Sequence, residues 1–197
     1  MIDGGSDSAE GARAPADDGR IWWAVNVAYI RSWREDVTAC LDRLLPGFEV
    51  RCGYPPGRHV VGGPAGEEEL ASLAGMRLSD DLLAWYRQVR EVSLPDIGNG
   101  YLIHEPGLVA CREVTSIRGR FAADVVVFAS DGGGTLFAVE TVTGAPVYRL
   151  PPDEVVAGVY HGGDPRFDVV AENLTSFLDR LRGEIEVFAA TGAAGDL

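Results

Sequence analysis

The spacing of apolar positions divides this chain into stretches of different character. Residues 1–20 carry no aromatic and almost no large aliphatic side chain, so they are expected to form a disordered acidic tail. From Ile21 the apolar density rises. "IWWAVNVAYI" is apolar enough to be buried, but its spacing does not separate strand from helix. "SWREDVTACLDRLLPG" is clearer. Trp33, Val37, Cys40, Leu41, Leu44 and Leu45 fall on one face of a helix that Ser32 can cap and Pro46-Gly47 stops. The Gly- and Pro-dense run from Cys52 to Gly66 reads as a linker. Residues 21–65 are thus expected to be a helical extension and linker, ahead of a main domain over 66–188 and a flexible end over 189–197.

The main domain opens with two helical signals. "EEELASLAG" puts acids in its first turn and Gly75 after its last, which agrees with the helix dipole and a glycine C-cap. In "SDDLLAWYRQVRE", Ser79 is the N-cap and Leu82, Leu83, Tyr86 and Val89 form the apolar stripe. The pattern then turns β-like. Strands are expected near Tyr101–His104, Leu108–Arg112, Val125–Ala129, Leu136–Glu140, Val147–Leu150 and Val155–Tyr160, mostly joined by short turns. "VVAENLTSFLDRLRG" closes the domain as an amphipathic helix, with Val170, Leu174, Phe177, Leu178 and Leu181 on one face and Gly183 as its cap. Helices gathered before and after a run of strands predict an α+β fold, an antiparallel sheet of about six strands packed by N-terminal and C-terminal helices.

Charge changes the functional picture more than the fold. The net charge is −13, and all 17 basic residues are arginine. Direct nucleic-acid binding needs a basic surface and is disfavoured; a basic protein partner is favoured, because opposite fields speed encounter. Three cysteines, Cys40, Cys52 and Cys111, show no CxxC spacing, so neither a disulfide framework nor a zinc ribbon is expected. No apolar run approaches a membrane span, and the N-terminus lacks the basic start and apolar stretch of a signal peptide. A cytoplasmic protein without membrane association is the expectation.

Candidate chemistry is thin. "SDGGGT" places Gly132–Gly134 between two apolar runs, but G-x-x-x-x-G-K-[ST] is absent and β-like "TLFAVE" follows where a helix N-terminus would be needed. A hairpin turn is the better reading. His59, His104 and His161 are widely separated, without HExxH or HxH spacing, so no metal and no cofactor are expected. Cys111 reads as a core residue in an apolar strand. The pairs Asp80-Asp81 and Asp153-Glu154 are sequence neighbours that point apart, so neither is an acid/base dyad. In "WYRQVR" Trp85 and Tyr86 are expected to face inward or toward the loop, with Arg87 and Arg90 facing water. No catalytic residue is expected.

Taken in order, these segments resemble the SUKH superfamily, which includes the yeast cell-wall assembly regulator and many bacterial immunity proteins. "EEELASLAGMRLSDDLLAWYRQV" resembles the paired opening helices of that family. "LPDIGNGYLIH" resembles its Asn-Gly segment, although here the sequence is Asn-Gly-Tyr rather than Asn-Gly-Gly. "VVVFASDGGGTLFAVE" and "TGAPVYRL" are similar to its central strand–turn–strand and next hairpin, and "VVAENLTSFLDRL" to its closing helix. The likeness spans about Gly66 to Arg182; residues 1–65 have no counterpart in it. It implies a non-catalytic module that binds and neutralises a protein toxin, many such toxins being nucleases. A housekeeping regulator or scaffold of the same fold is the alternative, as is a small-ligand site near Asp96, Asn99, Tyr101 and His104. Candidate partner contacts are Asp96, Asn99 and Tyr101, with Asp131 at the glycine turn. The competing reading gives Asp96 and Asn99 turn hydrogen bonds only and makes Tyr101 core.

Overall fold

The computed structural model describes residues 25–112, 115–118, 121–153, 155–161, 166–195 and 197. The expected acidic tail, residues 1–20, lies outside them. Helix α1, Val27–Leu44, begins at Asn26, whose side-chain oxygen accepts the Tyr29 amide at 2.8 Å. The cap is therefore Asn26 rather than Ser32. Asparagine caps as well as serine, and this one sits where the buried stripe of Ile30, Trp33, Val37, Cys40, Leu41 and Leu44 begins. The short helix α2, Phe48–Cys52, lies between two left-handed glycines, Gly47 and Gly53. Strand β1, Val60–Val61, follows within the glycine- and proline-rich segment.

Helices α3, Glu67–Ser72, and α4, Asp80–Tyr86, form where the sequence places them. Ser79 caps α4 by accepting the Leu82 amide at 3.3 Å. Gly75 does not cap α3, which stops at Ser72 and is closed by Leu73 in a right-handed conformation. Trp85 and Tyr86 are buried as expected. Arg90 remains partly exposed to water, but its guanidinium is engaged: it donates to Glu69 at 2.5 Å, to Glu91 at 2.6 Å and to Glu105.

Among the described residues the sheet contains ten strands rather than about six, and it is mixed. Its spine is β5, Ala123–Asp131, paired antiparallel with β6, Leu136–Glu140. Two strands share the other edge of β5: β3, Tyr101–Ile103, takes its second half and β4, Thr115–Ile117, its first. Outward from β3 lie β2, Val92–Leu94, and then β1. Outward from β6 lie β7, Val147–Leu150, and β10, Asp168–Ala171. The expected strand over 155–160 is a hairpin, β8 (Val155–Val156) and β9 (Val159–Tyr160), turned by Ala157 and Gly158 at positive φ. β9 runs parallel to β4, the one parallel pairing among the described strands.

The expected strand over 108–112 is instead helix α5, Pro106–Cys111, with proline in its first turn. Proline's fixed φ starts a helix readily, and a short apolar run carries no period to oppose it. Cys111 is consequently exposed, not core. The closing helix α6, Leu174–Thr191, starts at Asn173, whose side chain accepts the Ser176 amide at 2.9 Å. It passes through Gly183 and ends at Gly192, φ +71°. Val170 belongs to β10, not to this helix.

Both faces of the sheet are covered. Val126, Phe128, Phe137, Val139 and Val147 pack with the helices, and Phe177 of α6 meets Phe128 and Phe137 at ring separations of 5.2 Å. Val125, Val127, Ala138, Tyr148 and Leu150 point the other way, onto Ile117, Tyr160 and Phe167. Burial on both faces is why "VVVF" shows no alternation of apolar and polar positions. α1 joins the same core: Trp33 stacks edge-on against Trp85 at 5.1 Å.

Candidate functional site

The antiparallel register of β3 and β5 sets Tyr101 opposite Asp131. The loop before β3 and the turn after β5 therefore meet at one end of the sheet. Asp131 organises the turn. Its Oδ1 accepts the amides of Gly133 at 2.9 Å and Thr135 at 2.8 Å, and its Oδ2 accepts from Asn99 Nδ2 at 3.1 Å. The Gly132 amide donates to the carbonyls of Asn99 at 2.9 Å and Gly100 at 2.8 Å.

The three glycines have separate jobs. A Cβ on Gly132 would lie 2.4 Å from the Asn99 carbonyl oxygen, and one on Gly133 would lie 2.4 Å from Asn99 Nδ2. Gly134 holds φ +86°. The first two let the loops touch and the third makes the turn. Their amides point at Asn99, Gly100 and Asp131, which is the geometry of a hairpin lock and not of a phosphate cradle.

Asn99, Tyr101 and Asp131 are thus brought together, and Asp96 is not with them. Tyr101 is 6 % exposed and belongs largely to the core. Beside these three residues opens a cleft of about 210 Å³, which Arg149 and Leu197 also border. Arg149 Nη1 donates to the Leu197 carbonyl at 3.0 Å, and the Leu197 side chain is buried against the main core.

Asp96 lies on the far side of the same loop. Its Oδ2 accepts the Gly57 amide at 2.7 Å and contacts His59 Nε2 at 2.9 Å. A carboxylate can only accept here, so Nε2 carries the proton and Nδ1 is left buried without a partner. This pair ties the segment before β1 to the loop before β3. Sequence alone missed it, because 37 residues separate the partners and neither stands in a motif. Asp96 also borders a second cleft, of about 560 Å³, between α2 and the end of α6.

His104 was a candidate only for a small-ligand site. Its Nε2 lies 2.8 Å from Ser130 Oγ, while Nδ1 is buried without a partner. Burial, and then the charge of Arg112, push this imidazole down to about 4. A neutral histidine beside a serine is the geometry of a base and a nucleophile. Here, however, His104 directly follows β3, is 6 % exposed, and its amide extends the pairing with β5 by donating to the Phe128 carbonyl at 2.8 Å.

Cys40, Cys52 and Cys111 are free thiols. Among the described residues no three His, Cys, Asp or Glu side chains converge as metal ligands. No described helix is long and apolar enough to cross a membrane. No family model matches the chain, and no curated protein matches it.

Proposed function

We propose that this chain is a non-catalytic protein-binding module of the immunity type, which acts in the cytoplasm by holding and neutralising a basic toxin domain. The observation that carries this reading is the lock between Asn99 and Asp131. Two loops from different parts of the chain are fastened together at one end of the sheet, so polar groups there are held in place before a partner arrives. Such preorganisation lowers the ordering cost of association. The net charge of −13 supplies a long-range field that favours a basic partner and speeds its approach. The order of α3, α4, β3, the β5–glycine turn–β6 unit, β7 and α6 supports the SUKH resemblance drawn from the sequence, and with it the immunity role.

The test is affinity capture from the cells that make this protein, identification of the captured chain, and co-expression of the two. A basic partner whose toxicity is relieved by this chain, and whose association slows as salt rises, is the expected result. A partner without toxicity would replace the immunity role with that of a regulator of the same fold. Failure to hold any partner at physiological salt would remove the binding-module reading altogether.

A further inference from the structure

We infer that the cleft beside Asp96 is a subsite for a single cationic side chain, a guanidinium or ammonium on an aliphatic stem. The inference rests on the proposed function for its biological occupant, a basic partner protein, but its chemistry is read from this cleft alone. One wall is the C-terminal end of α6. The Gly192 amide closes onto the Phe188 carbonyl at 2.8 Å, and the carbonyls of Ala189, Ala190 and Thr191 follow as the helix-end acceptors. The last turn of α6 carries no basic residue, whereas that of α1 carries Arg43. The negative end of this 18-residue dipole therefore faces the cleft with no basic side chain on its own last turn.

Facing it is the Asp96 carboxylate, with its side chain 11 % exposed. Gly57 and His59 both hold Oδ2, and among the described residues no hydrogen bond reaches Oδ1. Tyr54 forms the outer wall. It is half exposed and packs edge-on against Phe48 at 5.4 Å, so its ring is fixed and available to a cation. Burial, and then the nearby Asp96 charge, push the Tyr54 phenol up. Arg51 also borders the cleft, but its Nη1 donates to the Pro46 carbonyl at 2.9 Å and its Nη2 to that of Leu44. That guanidinium is held against the end of α1 by these two neutral carbonyls, and a bound cation would sit on the Asp96 and α6 side of the cleft, away from it. A volume of about 560 Å³ leaves ample room for a side chain to enter.

The full chain, labelled with nitrogen-15, is titrated with n-butylguanidinium and n-butylammonium, with butan-1-ol as the uncharged control and inorganic phosphate as the anion. The expected result is amide shifts confined to Tyr54, Gly98 and Ala190–Gly192, seen with the cations and not with the alcohol, and weakened at about 0.5 M salt. Asp96→Asn should weaken binding about tenfold. Because that change also touches His59, Ala190→Lys is the second variant. It sets an ammonium on the exposed last turn of α6, and should abolish cation binding while leaving the melting temperature equal or higher. Shifts from the alcohol equal to those from the cations, shifts from phosphate in their place, or unchanged binding by Ala190→Lys would overturn the subsite. A captured partner that binds Ala190→Lys with unaltered affinity would also overturn it and spare the proposed function. Cation binding by a chain that holds no protein partner would sustain the subsite and end the proposed function.

Discussion

The indole Nε1 of Trp33 donates to the carbonyl of Leu178 at 2.7 Å, joining the middle of α1 to the second turn of α6 across 145 residues. Both residues are buried, so the bond is shielded from water. Trp33→Phe keeps most of the apolar contact and removes the donor; it should cost about 1–2 kcal/mol. Trp33→Ala also opens a cavity beside Trp85 and should cost about 3–5 kcal/mol. Urea unfolding of the three proteins checks the ranking. Equal stability of the wild type and Trp33→Ala would mean that α1 is not part of the cooperative core.

The glycine turn gives a second ranking. Gly134→Ala strains a left-handed residue and should cost on the order of 1 kcal/mol. Gly132→Ala drives a methyl into the Asn99 carbonyl, with backbone on both sides, and should cost more, on the order of 2–3 kcal/mol. Thermal midpoints measure both, and the reverse order would mean that the two loops part easily.

His104 makes stability depend on pH. Its folded value of about 4 lies below the ordinary histidine value of 6.5, so the unfolded chain binds the proton more readily between those two values. Stability is therefore lost as pH falls through that window, by up to about 3 kcal/mol at its lower end. Carboxylates also titrate at that lower end, so the informative quantity is the difference between wild type and His104→Gln. The variant should lose less stability between pH 7 and pH 4.5 in urea titrations. Parallel curves would show that His104 is protonated without penalty in the fold.

Arg90 joins α3, β2 and α5 through Glu69, Glu91 and Glu105. Glu69 is held below the usual carboxylate range, first by the Gly66 amide and then by Arg90. The cluster is about a third exposed, so Arg90→Ala should cost only about 1 kcal/mol. It should also leave three carboxylates facing one another. The stability of this variant should consequently rise with added salt more steeply than that of the wild type. A salt response identical to wild type would show that the carboxylates disperse once the arginine is gone.

The elements that the sequence revealed are those whose signals are local. Ser79 caps α4 because its hydroxyl reaches an amide three residues away, and the "DGGGT" turn depends on contiguous residues. The missed strands β1, β2, β4 and β10 are two to four residues long, too short for a period to show, and each is specified by its neighbour in the sheet. Residues 108–111 carry an apolar run that helix and strand share, and proline at position 106 decides between them. Gly183 looked like a terminus because a glycine weakens a helix, but Ile185 and Phe188 beyond it are buried and carry α6 onward. At the candidate site, Asn99 and Asp131 stood out singly as polar turn residues. Their contact with each other, and that of Asp96 with His59, arise only from folding.

The six residues Pro95–Gly100 serve as a party wall. Asp96 faces one cleft and Asn99 the other, while Ile97 between them is fully buried and accepts the Gly100 amide at 2.9 Å. The wall's two faces are fastened to different neighbours, Asp96 to Gly57 and His59, and Asn99 to Asp131. A single partner gripping both openings would have to straddle this segment, and the distance between its two footholds would be set by six residues of backbone.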